Sequence, residues 1–469
     1  RINMEKKNTW ETYSSKQLKE LEKINAQYRD FLDNGKTERE CIDTIVNTIE
    51  KSGYRELESL IKEGAALKTG DKVYSVWMNK SIAMFQIGRK PMTDGMNILG
   101  AHIDSPRLDV KQNPLYEDGG FAYLDTHYYG GVKKYQWVTI PLAIHGVIVK
   151  KDGTCVEINI GENEDDPVFF VSDLLIHLAQ EQLEKKAAKV IEGEALDIIV
   201  GNKPLLIDKK DKKKDEKEAG KEAVKAGVLD ILKETYDIHE EDFVSAELEA
   251  VPAFKAKDIG FDRSMIGAYG HDDKVCAYTA FAALMDGNTV PEKTAVVVLT
   301  DKEETGSDGN TGLKSAYLKY FIHDLAECFG EEGRAVLSKS ECLSADVNAA
   351  FDPTFPDVLE KRNSSFINYG VCVTKFTGAR GKSGTSDASA EFVGRVRKLL
   401  DDNNVIWQTG ELGKVDLGGG GTVAAYIANL NVDTIDVGVP VLCMHAPFEI
   451  VSKVDVYMTY KAFYCFLYE

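Results

Sequence analysis

Glu303 and Glu304 stand side by side in DKEETGSDG, directly after the apolar run Thr294–Thr300 (TAVVVLT). Such a run reads as a buried parallel strand, and open α/β sheets bind ligands outside the carboxyl ends of their strands. Adjacent carboxylates that lose hydration repel each other unless a cation or a catalytic proton compensates them, so the pair points to metal chemistry. More imidazoles and carboxylates follow other apolar runs or open a helical pattern. These are His102 and Asp104 in ILGAHIDSPRLD, Asp272 and Asp273 in YGHDDKVCAYTAFAALM, Asp346 in CLSADVN, and His445 in VGVPVLCMHAPFE.

Two metals that share a bridging carboxylate need few protein ligands, because the bridge serves both and water fills the gap. One metal would take His102 with Glu304 or Asp346, and the other the remaining carboxylate with His445, Asp272 bridging. Imidazole with carboxylate suits zinc best, with manganese and cobalt as alternatives. Asp104 is placed to accept the proton of the imidazole nitrogen that faces away from the metal, which orients the ring and raises its basicity. Glu303, one position from Glu304, can face the water as general base, and the reaction class is amide hydrolysis.

The elements that carry these residues can be read from periodicity. Helices are expected over 14–28 and 36–52, and strands over 72–78, 81–87 and 96–101. After Asp104 the pattern becomes half-buried antiparallel sheet, with 146–149 and 156–160 flanking the turn Lys151-Asp152-Gly153. Helices over 172–188 and 217–235 and a strand over 244–251 complete what reads as an inserted, β-rich domain. From about 258 strands and helices alternate: helix 273–285, strand 294–300, helices within 312–329, strands 341–346 and 367–376. Helix 386–400, strand 405–409, helix 421–430, strands within 434–442 and helix 453–466 follow, the last opened by Ser452 and Asp455 as a capping box. Alternation of this kind means an α/β fold with a mixed sheet wrapped by helices.

Length and composition fit this plan. The 469 residues are 43% hydrophobic, enough for two domains with separate cores. The net charge of −19 argues against nucleic acid or an anionic membrane as the main partner. No apolar run reaches membrane-spanning length, and no signal core opens the sequence. The eight cysteines form no CxxC pair and read as reduced, mostly buried thiols of a cytoplasmic protein.

The segments GAHIDSPRLD, GHDDK, DKEETGSDG, SAD and MHAPFE, in this order over nearly the whole chain, resemble those of the aspartyl aminopeptidase / aminopeptidase I family of dinuclear zinc exopeptidases. The resemblance implies a zinc-exopeptidase-like catalytic domain (1–103 and 258–469) interrupted by a dimerisation domain (104–257). It implies dimers assembling to a hollow tetrahedral dodecamer, two divalent ions, and peptide substrates with a free amino terminus. Carried over by motif, it implies metal ligands at His102, Asp272, Glu304, Asp346 and His445, Glu303 as base, and a cis peptide between Asp272 and Asp273. Lys375, in VTKFTG, matches a lysine near the substrate, and His145, in PLAIHG, resembles a residue that reaches a neighbouring subunit's site. Aspartyl-specific members carry a histidine-rich stretch after SAD, whereas here Asn348 and Phe351 stand in SADVNAAFDP. The preferred amino-terminal residue therefore stays open between acidic and neutral.

Two other readings compete. The same metal pair serves deacylases and carboxypeptidases, and a non-catalytic shell or cargo protein would use metals only as braces. The lysine-rich stretch 207–226 is interrupted by acidic residues and reads as a solvated loop running into a helix. GARGKS at 378–383 lacks the first glycine of a phosphate loop, and Gly418–Gly421 reads equally as a turn or as backbone lying close to a substrate. Residues 307–312 lack the spacing of a calcium loop. His127, His177, His239, His271 and His323 fall outside the constellation, with His271 the one nearest to it in sequence.

Overall fold

The structure, a computed structural model, describes residues 7–205 and 222–468. By contacts the chain divides into two units, the first comprising Arg1–Ser105, Lys255–Met444 and Phe448–Glu469, the second Pro106–Phe254 and His445–Pro447. Bonding within the first unit continues past the strand ends. Ile103 N–H still donates to Thr300, Ser105 to Asp272, and Ala256 N–H to Asp33.

In the first unit a nine-stranded mixed sheet runs in the order Arg55–Glu56, Lys72–Trp77, Ser81–Gln86, Thr294–Thr300, Met96–His102, Glu341–Ser344, Asp433–Gly438, Val371–Thr374, Trp407–Thr409. Its centre is parallel: Thr294–Thr300 and Glu341–Ser344 flank Met96–His102, so that Thr300 pairs with His102. Every residue of Thr294–Thr300 is buried, as a strand covered on both faces requires. Alternate side chains sort into two cores. Val297 and Leu299 pack with Val275, Ala280 and Phe463 from helices His271–Met285 and Lys453–Tyr468, while Val296 and Val298 pack with Leu318, Ile322 and Ile427 from helices Tyr317–Glu327 and Ala424–Ala428. The first two long helices, Ser15–Asn34 and Glu38–Lys51, each open on a complete capping box, Ser14 with Gln17 and Thr37 with Glu40, features worth ~1 kcal/mol apiece. A smaller sheet of five strands includes Met265–Ala268, Glu449–Ser452 and Pro440–Leu442.

The second unit is a seven-stranded sheet in which every pairing is antiparallel, in the order Cys155–Ile160, Leu142–Val149, Ala246–Pro252, Arg107–Asp118, Phe121–Tyr129, Ile198–Gly201, Phe170–Val171. The turn at Lys151-Asp152-Gly153 closes with Lys150 and Thr154 bonded at 2.8 Å and Gly153 at φ 89.

Several expected elements differ. Residues 172–188 form only short turns, at Ile176–Leu178, Gln180–Leu183 and Ala187–Val190. Leu174, Leu175, Ile176, Leu178 and Leu183 are all exposed, so no buried face holds a longer helix together. The helix expected from 217 is described over Ala223–Tyr236; residues 206–221, with most of the lysine-rich stretch, lie outside the described residues. Ser452 and Asp455 do not form a capping box. Ser452 donates to Asn368 at 2.6 Å, and Asp455 accepts the backbone N–H groups of Asn368 and Gly370 at 2.8 Å each. All eight cysteines are free, but Cys155, Cys328 and Cys443 are exposed, Cys443 because it stands at φ 62 on the turn after Pro440–Leu442.

Candidate metal centre

Four loops at the carboxyl ends of neighbouring strands, or at the start of a helix, bring the site together in the first unit. His102 ends its strand and is 1% exposed. Asp272 lies at the kinked opening of helix His271–Met285, joined to Asp273 by a cis peptide. Glu303 and Glu304 form the short turn Glu303–Thr305 after Thr300, entered through Lys302 at φ 70. Asp346 follows Glu341–Ser344, its approach fixed by Ala345 N–H donating to Gly100 at 2.6 Å.

The imidazole of His102 has a fixed tautomer. Its Nδ1 lies 3.0 Å from the backbone carbonyl of Asp104. A carbonyl only accepts, so Nδ1 carries the hydrogen, and in the neutral ring Nε2 keeps its lone pair. That nitrogen faces carboxylates: Asp272 Oδ1 at 3.1 Å, Glu303 Oε2 at 3.8 Å and Asp346 Oδ1 at 3.9 Å. Lone pair against carboxylate oxygen is repulsive unless a cation or a proton lies between them. Tetrahedral zinc ligands at ~2.0–2.1 Å stand ~3.3 Å apart, close to the observed separations. His102, Asp272 and Asp346 offer ligand atoms within 4.8 Å of one another, and so do His102, Glu303 and Glu304.

The charges argue the same way. Burial pulls the His102 imidazole toward neutrality, but hydrogen bonds to Asp104 and Asp272 and the fields of Glu303 and Asp346 outweigh it and raise its pKa well above the usual value. Burial, then the neighbouring Asp273, pushes the Asp346 carboxyl far upward, and burial does the same to Asp273. The centre therefore binds protons in the absence of a compensating cation, which is the behaviour of a donor set built for one. Oxygen and imidazole donors without thiolate fit zinc, manganese or cobalt.

Asp104 has no exposed surface and does more than face His102. Besides lying 3.3 Å from Nδ1, its two oxygens accept the N–H groups of Glu303 and Glu304 at 3.2 Å each. One buried carboxylate thus sets both the ring and the glutamate turn.

His445 opens the segment His445–Pro447 of the second unit at φ 66. Its Nδ1 meets the carbonyl of Gly131 at 2.9 Å, so the hydrogen is on Nδ1 and the lone pair on Nε2, the same tautomer as His102. His145 is buried, with Nε2 against Glu162 at 2.9 Å. Lys375 is half-exposed at the end of Val371–Thr374 and pairs with Asp387, which Lys382 also meets at 3.0 Å. His271 is structural: Tyr28 donates to its Nδ1 at 2.7 Å and its Nε2 donates to Ile266 at 3.0 Å.

Sequence reasoning missed three contributors, Glu449, Ser105 and Gly438, and named Asp273 without its role. Asp273 accepts the N–H of His102 at 3.2 Å, and Glu449 accepts that of Asp272 at 3.0 Å. Ser105 donates to the Asp272 carbonyl at 2.9 Å. Gly438 makes room for Asp346, whose carbonyl oxygen would stand 1.8 Å from a Cβ there. Asp273, Glu449 and Ser105 lie inside the motif segments, which was the available signal, whereas Gly438 has none beyond its place in an apolar strand.

Comparison with known proteins identifies the family. The family model for aminopeptidase I zinc metalloprotease (M18) matches residues 31–467. A probable M18 family aminopeptidase 1 of Clostridium acetobutylicum is 54% identical over 99% of this chain and 98% of its own length, and one from Thermotoga maritima 45% identical over 98% of each. The crystal structure of aminopeptidase I from Clostridium acetobutylicum superposes with a TM-score of 0.91 at 52% identity, covering all of both chains. The M18 aminopeptidase structure from Thermotoga maritima gives 0.92 at 45%, covering 99% of this chain and 100% of that one. The S. cerevisiae mApe1, a dodecamer, shares the fold at 21% identity, with a TM-score of 0.75 over 94% of this chain and 96% of its own. Sequence, fold and donor set agree, and the chain belongs to the aminopeptidase I zinc metalloprotease (M18) family.

Proposed function

We propose that this chain removes the amino-terminal residue of peptides at a pair of divalent ions, with Glu303 as the general base. That it is a metallo-aminopeptidase follows from its family. The ion pair and the residue roles are our reading. One ion would be held by His102 and Asp346 and the other by Glu304 and His445, with Asp272 between them. The observation that carries this is His102 Nε2 turned on the carboxylates of Asp272, Glu303 and Asp346, with the far nitrogen Nδ1 held by a backbone carbonyl. The matching Nδ1 donation of His445 to a backbone carbonyl supports its role, since such a bond orients a metal-ligating imidazole.

When bound, the ions supply Lewis acidity, making water more acidic and polarising the scissile carbonyl. The Glu303 carboxylate takes the proton of that water as its oxygen bonds to the carbonyl carbon. It then returns the proton to the nitrogen of the leaving peptide as the C–N bond breaks. Asp104 fixes the turn that aims Glu303 and holds the His102 ring in its tautomer. A carboxylate-rich centre also suits a substrate that presents a free amine.

Lys375 and His145 are proposed as substrate-side residues, the latter toward a neighbouring subunit. A homo-oligomer built on the second unit is supported by its exposed Leu174, Leu175, Ile176, Leu178 and Leu183. Among the described residues no helix is long and apolar enough to cross a membrane; a cytoplasmic location remains part of the proposal. The test is turnover of acidic, neutral and basic aminoacyl substrates, each free and N-acetylated, with metal content measured on the same sample. The proposal requires turnover of the free amines only. Cleavage of acetylated substrates, or release of carboxyl-terminal residues, would instead establish a deacylase or carboxypeptidase.

A further inference from the structure

Lys274 is 1% exposed and among the largest fully buried side chains. Among the described residues it meets no carboxylate at ion-pair distance. Its ammonium donates to Ser105 Oγ at 2.7 Å and lies 5.4 Å from the centroid of the Tyr269 ring. Ser105, 2% exposed, passes its own hydroxyl hydrogen to the backbone carbonyl of Asp272 at 2.9 Å. An ammonium cannot accept and a carbonyl cannot donate, so the relay has one polarity, Lys274 to Ser105 to Asp272. Gly270 leaves room for it: a Cβ there would stand 2.9 Å from Lys274 Nζ and 3.0 Å from Ser105 Oγ.

A desolvated ammonium without an ion pair is costly to keep, so its retention calls for a use. The use lies at the far end of the relay. Asp272 is clamped at both backbone groups, its N–H by Glu449 and its carbonyl by Ser105, which leaves only side-chain torsions to aim its carboxylate. We infer that Ser105 and Lys274 are positioning residues of the metal centre, fixing the backbone of Asp272 so that its carboxylate points at the ions. The inference rests on the ligand role proposed above for Asp272.

Zinc affinity, read by competition with a chromogenic chelator on the full chain, tests it with Ser105→Ala, Ser105→Thr, Lys274→Met and Asp272→Asn. Ser105→Ala and Lys274→Met should each weaken zinc binding ~10–100-fold, as loss of an outer partner of a metal ligand does, while Ser105→Thr, which keeps the hydroxyl, stays within about threefold of the parent. The metal-free melting temperature separates this from a role in folding alone. In the positioning account Lys274→Met melts no lower than the parent without metal, because a buried charge has been removed, yet it still binds zinc poorly. If Lys274→Met does not fold, Ser105→Ala against Ser105→Thr decides. Parental zinc affinity in Ser105→Ala and Lys274→Met, with zinc lost from Asp272→Asn, overturns the inference alone. Parental affinity in Asp272→Asn overturns the ligand role beneath it.

Discussion

Replacing Glu303 by glutamine separates two arrangements that the geometry brings close together. His102 can be grouped with Glu303 and Glu304 or with Asp272 and Asp346, in each case with ligand atoms within 4.8 Å. Only the second leaves the Glu303 carboxylate to move protons. Glutamine keeps the shape of the side chain, and the turn is held through the backbone N–H groups of Glu303 and Glu304 on Asp104, which the substitution does not touch. What disappears is a proton acceptor 3.8 Å from His102 Nε2. General-base contributions are ~10²–10⁴-fold, or ~3–5 kcal/mol of transition-state stabilisation. The loss should appear in kcat, with KM little changed, because substrate contacts remain. Steady-state kinetics on a free-amine substrate, with zinc counted on the same preparation, gives the answer. Full zinc content with kcat down at least a hundredfold is the expected result. Activity within tenfold of the parent refutes the base role, and loss of zinc makes Glu303 a ligand.

Gly438→Ala forces a methyl group to within 1.8 Å of the Asp346 carbonyl oxygen, and Asp346, the proposed ligand, must move. Overpacking of this kind costs ~1–3 kcal/mol in stability, and a displaced ligand should lower kcat/KM about a hundredfold, measurable by kinetics and thermal unfolding. Asp104→Asn replaces one of two accepting oxygens with a donor facing an N–H, costing ~1.5–3 kcal/mol for the charge-assisted bond. It should also weaken zinc binding ~10–100-fold in a chelator competition. His271 has a pH signature. Burial lowers its pKa to about 3 while an unfolded histidine titrates near its ordinary 6.5, so the unfolded state binds the extra proton between those values. Stability attributable to this group is thus present above pH ~6.5 and declines as pH falls toward 3. His271→Gln, which can accept from Tyr28 and donate to Ile266, should flatten urea-unfolding stability between pH 6.5 and 4. An unchanged pH slope would contradict that.

The candidate centre was legible because each proposed ligand sits next to an unmistakable local signal. Thr294–Thr300 is apolar throughout and ends at the glutamates, and His102 and Asp346 likewise close or follow short buried strands. Edges were harder. The expected helix over 172–188 failed because its leucines and isoleucine face solvent, where helical spacing of apolar residues buries nothing. Ser452 and Asp455 have the spacing of a capping box, yet the Asp455 carboxylate is taken by Asn368 and Gly370, partners that are distant in sequence. Asp104 was legible as a companion of His102 but not as the anchor of the glutamate turn, and the polarity of the Lys274–Ser105 relay emerges only from distances. Contacts between motifs, unlike the motifs themselves, leave no periodic trace along a chain.

The central claim is most directly tested by anomalous scattering at the zinc edge from crystals of the zinc-loaded enzyme. It predicts two ions per chain, one on His102 and Asp346, the other on Glu304 and His445, with oxygens of Asp272 ~2.0–2.2 Å from both. A single ion, or a pair with Asp272 bound to neither, would contradict it.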